Sequence, residues 1–224
     1  MKTNLNQVKD VAKILLYTDI HYLEYGFVSH PFANHTIQMI RENNKTELLD
    51  LTKNDDIERW RKYISENIDK ISSVQQFLLI VNKPYLPAFF KHIKDYLSDE
   101  DYAHMLYEIW IIVEYPNHDI NVSTTEFISM FKKANKNLLM NDKEKKIFDS
   151  LPETITVYRG IQKDATTNAL SWTLDKNVAK WFANRFNNNG RVVKATINKK
   201  YVLAYINGRG EKEVVLDYKK LMLQ

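Results

Sequence analysis

The sequence predicts an α+β protein: a helical N-terminal region, residues 1–150, followed by a small mixed β-sheet core with one inserted helix, residues 151–224. Three observations lead there. Apolar residues recur at helical spacing through the first two thirds of the chain. At Leu151-Pro152-Glu153 the pattern changes to short β-branched runs separated by turn residues. The charge changes with it: residues 151–224 carry 13 Lys and Arg against 6 Asp and Glu, a net of +7, and the rest carries 19 against 22, a net of −3. A basic C-terminal third suits a face or pocket that meets phosphates.

Residues 1–150 read as helices throughout. Val8, Val11, Ala12, Leu15 and Leu16 share one helical face, and Ile57, Trp60, Ile64, Ile68 and Ile71 form a stripe from Asp55 to Ile71. Gln75 to Val81 is a further apolar segment. Pro87 suits the first turn of a helix running to about Leu97. Ser98-Asp99-Glu100-Asp101 opens a helix from Tyr102 to Glu114, with Pro116 beyond its end. Ser123-Thr124-Thr125-Glu126 and Asn141-Asp142-Lys143-Glu144 are capping-box patterns ahead of two more helices. The loop His118 to Val122 and the stretch Asn135 to Asn137 are polar interruptions. These apolar stripes are expected to be packing surfaces.

In the last third, Thr154 to Gly160 and Ser171-Trp172-Thr173 read as strands. Asp175 caps a helix from Lys176 to Phe186, with Val178, Ala179, Phe182 and Phe186 on one face, closed by Asn187-Asn188-Asn189-Gly190. Arg191 to Ile197, Tyr201 to Ile206 and Glu213 to Tyr218 are three further strands.

Composition narrows the chemistry. With no Cys, disulfides and thiolate metal sites are excluded. The six His have no ligand-like spacing, so no metal site is expected. The most apolar run, Trp110-Ile111-Ile112-Val113, is far shorter than a membrane span, and Met1 to Gln7 lacks the apolar core of a signal peptide. A cytoplasmic protein with no membrane partner is the expectation.

The residues that suggest chemistry sit in the basic third. Glu211 and Glu213 lie two apart at the start of a strand, so both can face one pocket. Paired carboxylates suit a cationic sugar centre, one stabilising positive charge and the other handling a nucleophile. On its own, E-x-E also reads as two solvated charges on a hairpin. Upstream stand Tyr158-Arg159-Gly160 at a strand end and Ser171-Trp172-Thr173 leading into a helix. Arg159 offers a planar fork of donors for phosphate oxygens, or alternatively one half of a structural ion pair.

In order and spacing these three pieces resemble the R-S-E class of ADP-ribosyltransferases, the clostridial-toxin-like and arginine-specific branch. The resemblance covers about residues 152–218, and the helical region matches nothing. The middle motif departs from the family's frequent Ser-Thr-Ser by reading Ser-Trp-Thr. The resemblance implies an ADP-ribosyltransferase core that uses NAD as co-substrate and needs no metal. It implies that Glu213 meets a ribose hydroxyl and stabilises an oxocarbenium-like transition state, and that Glu211 orients or deprotonates the acceptor. It assigns Arg159 and Gly160 to NAD, Ser171 to orienting Glu213, and Thr173 to supporting the ligand-side backbone. Tyr205 and Arg209 fall in or beside the turn that presents the acceptor.

The expected function is therefore mono-ADP-ribosyl transfer to a macromolecule, protein arginine first, with a nucleic-acid acceptor or plain NAD hydrolysis as alternatives. A non-catalytic binding module is the alternative of another kind. Such an enzyme would act as an intracellular toxin, a defence effector or a phage-encoded modifier of its host. An antitoxin or immunity partner would then have the helical region as its docking place.

Overall fold

The computed structural model describes every residue except Asn43, Tyr115, Pro116, His118, Lys163, Asp164, Phe186, Asn187 and Asn188. The expectations for Pro116, His118 and Phe186, and for Asn187 and Asn188 as a helix stop, lie outside the described residues. The chain forms two compact units, Met1–Met105 and Leu106–Gln224. Among the described residues no helix is long and apolar enough to cross a membrane.

The first unit mixes helices with small antiparallel sheets. Helix α1 (Leu5–Leu16) buries Val8, Ala12 and Leu16, and its N-cap Asn4 accepts from the Gln7 N–H. Strands β1 (His21–Tyr22), β2 (Phe27–His30) and β3 (Ala33–His35) form one sheet, and β4 (Ile37–Glu42) and β5 (Lys45–Asp50) form a hairpin. Helix α2 (Asn54–Asp69) buries Trp60 and Ile68. Then come α3 (Phe77–Ile80) and α4 (Leu86–Ile93), with Pro87 in the first turn of α4. Helix α5 (Asp99–Ile112) carries the boundary between the units.

Residues 21–50 correct the all-helical expectation for 1–150. The turns there are of β type: Tyr25, Gly26 and Asn44 all have positive φ, which helices do not use. The hairpin escapes a periodicity reading because it is nearly one-sided. Only Ile40 and Leu49 are buried in it, while Ile37, Met39 and Leu48 remain exposed.

In the second unit, helices α6 (Thr124–Lys133), α7 (Lys136–Leu139) and α8 (Asp142–Ser150) lead into β6 (Thr154–Ile161) and β7 (Ser171–Thr173). Both capping boxes are formed, Ser123 with Glu126 and Asn141 with Glu144. After them come α9 (Lys176–Asn184), β8 (Arg191–Asn198), β9 (Val202–Ile206), β10 (Glu213–Leu216) and β11 (Met222–Leu223). The strands make one six-stranded sheet in the order β11-β8-β6-β7-β10-β9. Every neighbouring pair in it is antiparallel, so the sheet is not the mixed one expected.

The helices between 106 and 150 belong with this sheet, which moves the unit boundary 45 residues ahead of the expected 150/151. Their job is visible at β9, the sheet's edge. An open edge leaves backbone groups unpaired. Here Lys136 Nζ donates to the Val202 carbonyl at 3.0 Å, Met140 Sδ accepts from the Tyr205 N–H at 3.4 Å, and Glu144 Oε1 accepts from the Asn207 N–H at 2.6 Å. All five residues of β9 are buried as a result.

Helix α9 packs on β6 with Ala179 and Ala183 buried against the strand. Gly160 makes the approach possible. A Cβ there would stand 2.0 Å from the Ala179 carbonyl oxygen and 2.5 Å from the Ala183 nitrogen, both backbone atoms that cannot swing aside. Gly160→Ala should therefore lower stability by at least the ~1–3 kcal/mol usual for overpacking, read as a lower urea midpoint at unchanged slope. A midpoint within error of wild type would show that α9 can lift off the strand without loss.

Candidate functional site

The sheet register lines up the middle of the second unit. Glu213 on β10 pairs with Thr173 on β7, which pairs in turn with Tyr158 on β6. Around this row opens a cleft of about 580 Å³, a size usual for small-molecule sites. Arg159, Gly160, Ser171, Thr173, Arg209, Glu211 and Glu213 all line it. Of the residues singled out in the sequence, only Tyr205 lies elsewhere. It is buried in β9 and is not part of the cleft wall.

Glu213 is the most constrained group in the cleft. It is 3 % exposed, yet each carboxylate oxygen has a donor. Trp110 Nε1 donates to Oε1 at 3.0 Å, and Arg209 Nη2 donates to Oε2 at 3.4 Å. The Ser171 hydroxyl, Arg209 and Trp110 all favour the ionised carboxylate, but burial outweighs them and holds the pKa above the usual glutamate value. Glu211, two residues back, is less buried and pairs with the same Arg209 Nη2 at 3.3 Å. One guanidinium thus bridges both carboxylates, and its Nη1 donates to the Ile111 carbonyl at 3.3 Å.

Arg159 reaches the cleft from β6. Its Nη1 donates to the Ser171 carbonyl, which ties β6 to β7 through a side chain. Its Nε is enclosed and finds no partner. Burial pushes its pKa down to about 10, and the charge of Glu213 works against that fall. Arg159 therefore remains a cation at neutral pH, with a spare donor and incomplete compensation. Gln162, just beyond the end of β6, likewise has an enclosed Oε1 without a partner.

Thr173 and Gly160 both carry structural duties in the cleft wall. The Thr173 hydroxyl donates to the Glu211 carbonyl at 2.7 Å and accepts from the Asp175 N–H at 3.0 Å. It locks the turn that carries the carboxylates to the start of α9. Gly160 admits the backbone of α9, as described above, rather than open space for a ligand.

The turn from Asn207 to Lys212 is held from several sides. Asn207 Oδ1 accepts from the Lys212 N–H at 2.9 Å, and Lys212 Nζ pairs with Asp175 at 2.9 Å. Lys212 adopts a positive φ to make the turn. Behind it Glu144, 2 % exposed, accepts from the Asn207 N–H and from the Tyr107 hydroxyl at 2.9 Å. Trp110, Tyr107 and Glu144 were not foreseen as site residues. The capping-box pattern marked Glu144, but only as a helix start. Nothing local to Trp110 distinguishes it from an ordinary core residue, since it packs edge-on against Phe127 and Phe131.

One further group lines the cleft from α9. Trp181 remains 58 % exposed, meets Phe182 edge-on and lies beneath the guanidinium of Arg185 at 5.4 Å.

Comparison of the chain with protein-family models, with curated proteins and with solved structures finds no significant match.

The raised pKa of Glu213 has a consequence for stability. The folded chain holds this proton more tightly than the unfolded chain. Stability from the site is therefore full below the ordinary glutamate value of 4.5 and is lost as pH rises through the folded value. Glu213→Gln keeps an acceptor for Trp110 and carries no charge at any pH. In melting curves it should be more stable than wild type near about pH 8, by about 1.4 kcal/mol per unit of raised pKa, and the gap should close in acid. A variant less stable than wild type at every pH would mean that the carboxylate's partners outweigh its burial.

Proposed function

We propose that the chain is an NAD-dependent mono-ADP-ribosyltransferase, carrying ADP-ribose to a macromolecular acceptor, with protein arginine as the first candidate. The second unit is then the ADP-ribosyltransferase core. One observation carries the reading: Arg159, Ser171 and Glu213, from three adjacent strands, meet with Glu211 in a single cleft.

The residues present suit the co-substrate. An enclosed arginine Nε without a partner calls for an anionic oxygen, and the enclosed Gln162 Oε1 calls for a donor. A dinucleotide with a pyrophosphate and a carboxamide offers both. What NAD supplies is a labile glycosidic bond with nicotinamide as its leaving group.

The protein's part divides among five side chains. Arg159 holds phosphate oxygens with a preorganised fork. Glu213 faces the sugar, where a fixed negative charge in a dry site stabilises developing positive charge far better than it would in water. Ser171 and Trp110 favour the ionised form of that carboxylate against its burial and hold it in place. Glu211, nearer solvent, takes the proton from the acceptor's nitrogen.

Three outcomes test this, with nicotinamide release and acceptor labelling measured in parallel. Glu213→Gln should lose both by about a hundredfold or more while remaining folded. Glu211→Gln should lose labelling to a similar degree yet keep measurable nicotinamide release, because water can replace an acceptor that is no longer deprotonated. Equal loss of release in the two variants would mean that the carboxylates act as one unit on the sugar. Offering protein and RNA together in the labelling reaction identifies the acceptor class.

Separately, Arg159→Lys should weaken NAD binding in calorimetry by about tenfold or more, since lysine keeps the charge but loses the fork. Unchanged affinity would remove Arg159 from the phosphate site.

A further inference from the structure

The turn between β9 and β10 places an arginine of the chain itself between the two glutamates. Arg209 Nη2 lies 3.3 Å from Glu211 Oε2 and 3.4 Å from Glu213 Oε2. On the reading above, which this inference rests on, the first carboxylate deprotonates an acceptor nitrogen and the second faces the reacting sugar carbon. A guanidinium nitrogen within 3.4 Å of both stands where an acceptor nitrogen would. We infer that Arg209 is a self-acceptor, modified by the chain's own active site.

The surroundings favour Arg209 over the other arginines of the cleft. Arg159 has one nitrogen committed to the Ser171 carbonyl and another enclosed. Arg185 lies over Trp181 on α9. Arg209 alone among these three is paired with Glu211 and Glu213 in the described structure. Its side chain is 32 % exposed, so it reaches the carboxylates while keeping a route outward. Gly208 and Gly210 flank it. Gly210 has φ +72° with nothing within 4 Å of a built Cβ, which leaves room for the turn to carry a bulky adduct away.

The step balances without another reactant. The Arg209 Nη2 lone pair forms a bond to the anomeric carbon of the nicotinamide-bearing ribose. The glycosidic C–N bond breaks, and its electron pair leaves with nicotinamide. The proton displaced from Nη2 passes to Glu211 and then to water. The product is an N-glycosidic ADP-ribosyl group on Arg209. Once modified, the guanidinium cannot return between the carboxylates, so labelling stops at one group per chain.

The experiment incubates the full chain with NAD and no added acceptor, followed by intact mass and peptide mapping. The expected result is one ADP-ribose per chain, on the peptide spanning 207–212, formed at a rate per molecule that tenfold dilution does not change. Arg209→Lys should lose that label and release nicotinamide faster than wild type, because water gains access to the sugar. A second readout needs no turnover. Without NAD, the Arg209 side-chain N–H signals in NMR should be protected from exchange in wild type and lose protection in Glu211→Gln.

Nicotinamide release with the 207–212 peptide unmodified would overturn the self-acceptor assignment and leave the enzyme reading standing. Label that dilution abolishes would overturn it as well, since modification would then pass between molecules. Absence of both nicotinamide release and label would overturn the enzyme reading and this inference together. Unprotected Arg209 signals in wild type would remove the ion-paired geometry on which the inference stands.

Discussion

A carboxylate buried in a β-sheet is costly, and the second unit is built around one. Charged groups leave water only where donors replace it. Glu213 receives those donors from three separate places: Trp110 on α5, Arg209 on the β9–β10 turn and Ser171 on β7. None is a sequence neighbour within the same strand. The sheet order, the attachment of the helices and the shape of one turn must all be right for the charge to be tolerated. Even so, burial outweighs those donors and holds the Glu213 pKa above the usual glutamate value. A buried carboxylate that strains against its own ionisation is a poor device for stability alone, and such groups cluster where chemistry is done.

The same logic explains why so much hydrogen bonding converges on six residues of turn. Asn207 to Lys212 is exposed, contains two glycines and bends through positive φ at Gly210 and Lys212. Such a segment is mobile unless anchored. Its anchors are side chains from elsewhere: Glu144 beneath it, Thr173 beside it and Asp175 at its far end. Glu144 is itself buried and fixed by the Tyr107 hydroxyl, and burial together with that carboxylate pushes the Tyr107 pKa well above its usual value. The turn is thus held at its base, while Arg209 at its tip relies on ion pairs that a competing cation or anion can exchange. A rigid base with an exchangeable tip suits a loop that must present something and then let it go.

How much of this was legible beforehand depended on whether the information was local. The helix starts at Ser123 and Asn141 were readable because a capping box is a four-residue signal. Five of the six strands of the basic third were readable, and β11, only two residues long, was not. That Arg159, Ser171, Glu211 and Glu213 share a cleft was suggested only by the family their three short motifs resemble, not by any one local signal. The β-hairpin at 37–50 was not legible, because a strand pair that buries one residue per strand gives almost no alternation to find. Trp110 was not legible for a different reason: its indole N–H meets a residue 103 positions away, and a buried Trp in an apolar helix looks like packing. The unit boundary was misjudged because helices were grouped with helices. Physically, α7 and α8 close the open edge of β9, which no composition shift records.

These pieces leave a charge arrangement that is unfinished by itself. Arg159 keeps an enclosed donor without an acceptor, while one guanidinium, Arg209, is shared by two carboxylates. An anionic oxygen reaching Arg159 would complete the first. A second cation, or the positive charge that develops on a sugar, would relieve the second by taking Glu213 from Arg209. The two deficits have opposite sign and line the same cleft, so a ligand that brings negative charge to one end and develops positive charge at the other satisfies both together. That complementarity comes from the positions of four side chains, Arg159, Arg209, Glu211 and Glu213, rather than from the net basicity of the unit. For that reason an excess of Lys and Arg in the sequence was too coarse to reveal it.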